Sequence, residues 1–269
     1  MGRIEDKFAE LRARGETALV PFLTAGDPDL PTSEALIVSM AEAGADLIEI
    51  GVPFSDPIAE GPTIQRASER ALKAGASLRR ILELVAGLRS RVDVPLLLMG
   101  YANPIHAMGP SVFAETAAAA GVDGIITPDL PMEEGEVFYA ECRKRGIDPV
   151  LMVAPTTAPE RLEKLVKATR GFLYYVSLQG VTGARAKLSE GISEKVALAR
   201  TFGDVPVCVG FGISTPAHAA ELHGVVDGVV VGSAVVDAIE RGKTRDGAIE
   251  AVSGLIRSLK VPLQGRPAE

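Results

Sequence analysis

The chain has 269 residues, of which 47% are hydrophobic and 4% aromatic, and its formal net charge is −7. That length suits one large α/β domain spanning residues 1–269, with a core filled by Ala, Val, Ile and Leu. The negative charge argues against nucleic acid or an anionic membrane as the main partner, although local backbone N–H groups can still bind a small anion.

The first eight residues are charged and contain no apolar run of signal-peptide type, so a cytoplasmic protein is expected. A helix is predicted over 5–14, ahead of the first strand, where it could cap the bottom of a barrel. Apolar runs at 18–23, 46–50, 94–99, 124–127, 149–153, 172–176, 205–209 and 228–231 read as strands. Helical periodicity lies between them at 33–43, 78–88, 112–120, 133–144, 160–168 and 193–201, with a second extra helix at 63–73 after the second strand. Continuous Val/Ile/Leu runs alternating with helices predict a parallel sheet covered on both faces. About eight such units in this length favour a closed (β/α)8 barrel of the TIM type. The most apolar stretch, 225–239, is interrupted by Asp227, Gly228, Gly232 and Asp237 and does not read as a membrane span. Cys142 and Cys208 fall far apart in a predicted helix and strand and read as buried, reduced thiols. His106, His218 and His223 lack metal-ligand spacing, so no metal is expected.

In such barrels the loops after the strands form the active face. The segment Asp46-Leu-Ile-Glu49-Ile-Gly-Val-Pro-Phe-Ser-Asp56-Pro-Ile-Ala-Glu60-Gly-Pro-Thr places one carboxylate in an apolar strand and others in the loop that follows. Burying an unpaired carboxylate is costly, and near a strand's C-terminal end the result is a carboxyl group of raised pKa, suited to proton transfer. An ion-paired structural Glu is the alternative.

The last two units carry Gly210-Phe-Gly-Ile-Ser-Thr-Pro and Val231-Gly-Ser-Ala, each with glycine just after a strand and small residues leading into a helix. Glycine allows close approach of the backbone, and a helix N-terminus presents free N–H groups to an anion. The pair predicts a phosphate site after strands seven and eight, against the alternative of tight βα turns alone. No GxxxxGK[ST] or GxGxxG pattern is present, which argues against a nucleotide. The polar, Gly-rich loop 178–187, with the next helix expected from Ser193, suits a lid closing over substrate or a plain connection.

Together these motifs resemble the tryptophan synthase alpha chain family. They are Pro21-Phe-Leu-Thr-Ala-Gly-Asp-Pro, Glu49-Ile-Gly-Val-Pro-Phe-Ser-Asp-Pro, Gly61-Pro-Thr-Ile-Gln, Met99-Gly-Tyr-Ala-Asn-Pro, Asp129-Leu-Pro, Gly180-Val-Thr-Gly, Gly210-Phe-Gly-Ile-Ser and Gly232-Ser, in order along essentially the whole chain. The resemblance implies retro-aldol cleavage of indole-3-glycerol phosphate to indole and glyceraldehyde 3-phosphate within tryptophan biosynthesis. It implies Glu49 as acid/base and Glu60 as acceptor of the indole N–H, with Phe22, Tyr101, Tyr174, Tyr175 and Phe211 around the indole. Thr182 would act in the lid, and Gly183, Gly212, Gly232 and Ser233 would hold the phosphate. The family pattern has Asp where this chain has Glu60, one methylene longer, and Asp56 is the obvious substitute. The resemblance further implies a pyridoxal-phosphate β-subunit partner in an αββα heterotetramer, allosteric coupling to it, and no cofactor in this chain. A related phosphate-binding barrel, a stand-alone lyase and a non-catalytic activator of the β subunit are the rival readings.

Overall fold

The computed structural model describes residues 2–176, 185–210 and 212–265, with 185–190 as helix backbone. Nine strand segments are present among them: β1 (Ala18–Thr24), β2 (Ile48–Gly51), β3 (Leu96–Met99), β4 (Gly124–Ile126), β5 (Asp148–Val150), β6 (Met152–Val153), β7 (Leu173–Val176), β8 (Val207–Gly210) and β9 (Gly228–Val231). All pair in parallel, in the order β5-β4-β3-β2-β1-β9-β8-β7-β6. Only Leu151 separates β5 from β6, so the two ends of this order are one broken strand and the sheet closes into the expected eight-stranded barrel.

The helices are α1 (Arg3–Arg14), α2 (Leu30–Glu42), α3 (Pro62–Lys73), α4 (Leu78–Leu88), α5 (Ala102–Met108) and α6 (Pro110–Ala120) in the first half. The second half holds α7 (Glu136–Lys144), α8 (Pro159–Ala168), α9 (Arg185–Phe202), α10 (Pro216–Leu222), α11 (Ser233–Gly242) and α12 (Arg245–Lys260). No helix among the described residues is long and apolar enough to cross a membrane. One boundary departs clearly from expectation. Helix α9 begins at Arg185 rather than Ser193, because the residues from 185 to 190 are mostly good helix formers and outweigh Gly191.

Successive strand residues point to opposite sides of the wall. Ala18, Val20, Leu47, Leu97, Ile126, Val150, Phe172, Tyr174, Cys208 and Val230 fill the interior. Their neighbours Leu19, Ile48, Ile50, Leu96, Leu98, Leu173, Tyr175, Val209 and Val229 join the outer layer beneath the helices. Apart from the inward Glu49 of β2, both faces of the strands are therefore largely apolar, which explains the near absence of alternation in the sequence. Helix α1 closes the bottom, as its position predicts: Ile4, Phe8 and Leu11 enter the interior cluster, and the Phe8 ring meets Phe172 edge-on at 5.9 Å. Burying a side chain such as Phe8 contributes about 1.5–3 kcal/mol.

Aspartates just ahead of strands tie the bottom rim together. Asp46, Asp123 and Asp227 accept the backbone N–H of Leu19, Leu96 and Val207 at 2.8, 2.8 and 2.9 Å. Asp46 also binds Lys260 Nζ at 2.8 and 3.0 Å, which anchors the end of α12, and Arg89 pairs with Asp123. The cysteines are buried and free. These polar contacts stabilise the end of the barrel opposite the loops, leaving the upper end for chemistry.

Candidate active site

The strand-end loops surround a cavity of about 520 Å³ at the top of the barrel. Glu49 lies on its wall, in β2, with its Cα in register with Phe22 of β1 and Leu97 of β3. Since Ile48 and Ile50 face the helices, the two-residue period turns Glu49 inward. It is 1% exposed, and neither carboxyl oxygen has a hydrogen-bond partner among the described residues. Burial, helped by the negative charge of Glu60, pushes its pKa from the ordinary 4.5 up to about 8. A carboxyl group in this state carries its proton at neutral pH and can give it to a bound molecule. The ion-paired structural alternative does not hold, for none of the described ion pairs includes Glu49.

Glu60 reaches the same cavity from the loop after β2, immediately before Gly61 caps α3. Its Oε2 accepts the Tyr101 hydroxyl hydrogen, and its backbone carbonyl accepts Gln65 Nε2 at 3.0 Å. Burial raises its pKa, while the Tyr101 hydrogen bond works against that rise. The additional methylene thus leaves the carboxylate on the cavity and hydrogen-bonded. Asp56 instead accepts the Ser55 hydroxyl at 2.5 Å on the exposed outer part of the loop, and it is not among the cavity-lining residues.

Phe22 and Tyr174 stand on the wall as expected, and Tyr174 alternates with Tyr175 along β7. The structure corrects the assignment of Tyr175: its side chain is buried in the outer layer beneath the helices, away from the cavity. Tyr101 is likewise displaced from the wall. Its ring stacks on Phe54 at 5.0 Å and its hydroxyl supports Glu60 from behind. Ile64, Met99, Met152, Val176, Ile213 and Val230 supply the apolar wall instead. Sequence reading missed these because an inward Met or Val has the same composition as core. The two-residue spacing Leu97–Met99 and Val150–Met152 was the available signal. Gly210 is required sterically, because a Cβ there would lie 2.5 Å from the Tyr174 hydroxyl oxygen.

Gly212, Gly232 and Ser233 also line the cavity. Gly212 holds a φ of +45°, in the left-handed region that favours glycine. Gly232 caps α11 and Ser233 is its first residue, so the unpaired N–H groups that begin a ten-residue helix lie at the cavity lining. The cavity is therefore lined both by the two carboxyl groups and by a helix N-terminus. Thr182, Gly183 and Phe211 lie outside the described residues. Among those described, no cluster of three or more His, Cys, Asp or Glu side chains could hold a metal ion.

A family model described as tryptophan synthase alpha chain matches residues 8–261. The tryptophan synthase alpha chain of Geobacter sulfurreducens is 53% identical over 241 residues, covering 90% of this chain and 91% of that one. That of Citrifermentans bemidjiense is 48% identical over 260 residues, covering 97% of both. Among solved structures, tryptophan synthase subunit alpha from Legionella pneumophila superposes with a TM-score of 0.90 at 35% identity, covering 98% of each chain. A Mycobacterium tuberculosis tryptophan synthase structure gives 0.89 at 38% identity with the same coverage. With a buried carboxyl group and a helix N-terminus lining one cavity at the barrel mouth, and with these similarities along nearly its full length, the chain belongs to the tryptophan synthase alpha chain family.

Proposed function

We propose that the chain cleaves indole-3-glycerol phosphate to indole and glyceraldehyde 3-phosphate as the alpha subunit in tryptophan biosynthesis. The observation that carries this reading is Glu49: buried, without a hydrogen-bond partner among the described residues, and with its pKa raised to about 8 on the wall of a cavity that the α11 N-terminus also lines. In this reading the phosphate rests on Gly212, Gly232 and Ser233, and the indole lies among Phe22, Met99, Met152 and Tyr174.

Glu49 gives its proton to indole C3, which makes the ring a cationic, indolenine-like leaving group. Glu60 accepts the ring N–H and stabilises that charge. The Glu49 carboxylate so formed takes the proton from the hydroxyl on the glycerol carbon bonded to C3. The C3–carbon bond then breaks, its electron pair returns to the ring as indole, and the glycerol carbon becomes the aldehyde. Glu49 ends protonated, so the cycle closes without a cofactor in this chain.

The partner in this reading is a pyridoxal-phosphate β subunit that takes up the indole, in an αββα assembly. The loop between the two carboxylates, with Ile58 exposed on it, is the part of the chain this reading assigns to docking. The test is glyceraldehyde 3-phosphate release by the wild type, Glu49→Gln and Glu60→Gln, each with and without the cognate β subunit. General acid–base catalysis contributes about 10²–10⁴-fold, so Glu49→Gln should lose at least that range's lower end while still binding substrate. Cleavage by Glu49→Gln at the wild-type rate would remove the reading, and full activation of β by that inactive variant would show that binding and signalling survive without chemistry.

A further inference from the structure

We infer that Tyr101 is the positioning residue for Glu60, its hydroxyl fixing one carboxylate oxygen so that the other is presented to the substrate nitrogen. This inference rests on the reading of Glu60 as the N–H acceptor.

Tyr101 stands at the N-cap of α5, two residues beyond Met99 at the end of β3, and is 3% exposed. Three strand-end loops meet at it. From the loop after β2, Phe54 stacks on its ring at 5.0 Å with 24° between the planes. From the same loop, Ala59 donates its backbone N–H to the Tyr101 hydroxyl at 2.9 Å. From the loop after β4, Asp129 accepts the N–H of Ala102, the residue after Tyr101, at 2.9 and 3.2 Å. The hydroxyl hydrogen itself goes to Glu60 Oε2. A tyrosine hydroxyl has one hydrogen, and with Ala59 and Glu60 both engaged its direction is set.

A glutamate has one more rotatable bond than an aspartate and would sample more positions in a loop. Here Tyr101 holds it at both ends, through the Ala59 backbone and through Oε2. Among the described residues no side-chain donor bonds Oε1, the oxygen left for a ring N–H in the cavity, and the Glu60 backbone N–H adds support to the carboxylate. The described groups facing this carboxylate are Glu49 from β2, Asp129 from the loop after β4 and Tyr174 from β7, none of them a cation. The Tyr101 hydroxyl is thus the described side-chain donor that favours the ionised form of Glu60, the form needed to accept the N–H.

The experiment is Tyr101→Phe in the full chain, which keeps the ring and removes only the hydroxyl. Its kcat for glyceraldehyde 3-phosphate release, KM, pH profile and unfolding midpoint would be measured together. The expected result is a loss of about tenfold or more in kcat with KM little changed, and an acid limb moved to higher pH. In a Glu60→Gln background the same substitution should cause no further loss of kcat. Unchanged kcat and acid limb in Tyr101→Phe would overturn the inference, as would an equal fold-loss in both backgrounds, which would mark Tyr101 as structural. Should Tyr101→Phe not fold, Tyr101→Met, which fills similar space without a hydroxyl, is measured instead. It must lower kcat and move the acid limb the same way, and an unmoved limb overturns the inference. A Glu60→Gln variant with wild-type kcat removes the assignment of Glu60 itself. A slow Glu60→Gln beside a wild-type Tyr101→Phe removes only the positioning role.

Discussion

Replacing Glu49 by glutamine should make the protein more stable as well as inactive, and the gain should grow with pH. Glu49 has an ordinary pKa of 4.5 and is pushed to about 8 in the folded chain, first by burial and then by the charge of Glu60. In the unfolded chain the carboxyl ionises near 4.5, so between 4.5 and 8 folding must take up a proton. The sign follows: a folded pKa raised above the unfolded one gives stability that is fully present below 4.5 and is lost as pH rises to about 8. Each pH step of one costs about 1.36 kcal/mol, which gives about 3 kcal/mol at pH 7 and about 5 kcal/mol above pH 8. Glutamine has nearly the same shape, is neutral at every pH, and shares the burial cost of a neutral polar head. The two proteins should therefore unfold alike in urea near pH 4.5 and diverge by about 3 kcal/mol at pH 7. A chain of this size gains about 2–4 °C in Tm per kcal/mol, so a Tm difference of about 6–12 °C is expected at pH 7. A stability difference that does not change with pH, or a less stable glutamine variant at pH 7, would refute the account of Glu49 as a buried, unpartnered acid.

Other perturbations test the frame around the site. Gly51→Ala places a Cβ 2.5 Å from the Phe22 ring, so overpacking of about 1–3 kcal/mol and a fall in kcat/KM are expected together in urea unfolding and steady-state kinetics. Lys260→Met strands Asp46, which is 6% exposed, and should cost about 3–5 kcal/mol at pH 7 in urea unfolding without altering KM. Phe8→Ala opens the bottom of the barrel beneath Phe172 and should cost about 3–5 kcal/mol, with the cavity at the opposite end keeping its substrate affinity. Inorganic phosphate should compete with substrate through the α11 terminus, raising apparent KM and leaving kcat unchanged.

Local pattern carried a large share of this molecule. The apolar runs separated by helical periodicity were sufficient for a closed parallel barrel, since a strand buried on both faces must be apolar throughout. The Glu49 and Glu60 loop stood out because carboxylates in or beside such a run are costly. Gly210-Phe-Gly and Gly232-Ser stood out because glycine ahead of a helix marks close backbone approach. The inner or outer direction of each strand residue was less legible. Tyr174 and Tyr175 are the same residue type side by side, and only the closure of the barrel turns the first inward and the second beneath the helices.

Residue types and their order along the chain thus determined the barrel, the acid in its second strand and the glycines that open onto the cavity at its last strands, because each is written in hydrophobic period, burial cost or glycine placement. Tertiary structure alone decided that Tyr101 holds Glu60 rather than lining the cavity, and that the wall is made of Ile64, Met99, Met152 and Val230. It also decided that Glu49 meets no described partner. Those are facts about which atoms of distant segments come within bonding distance, and one-dimensional pattern holds no such distances.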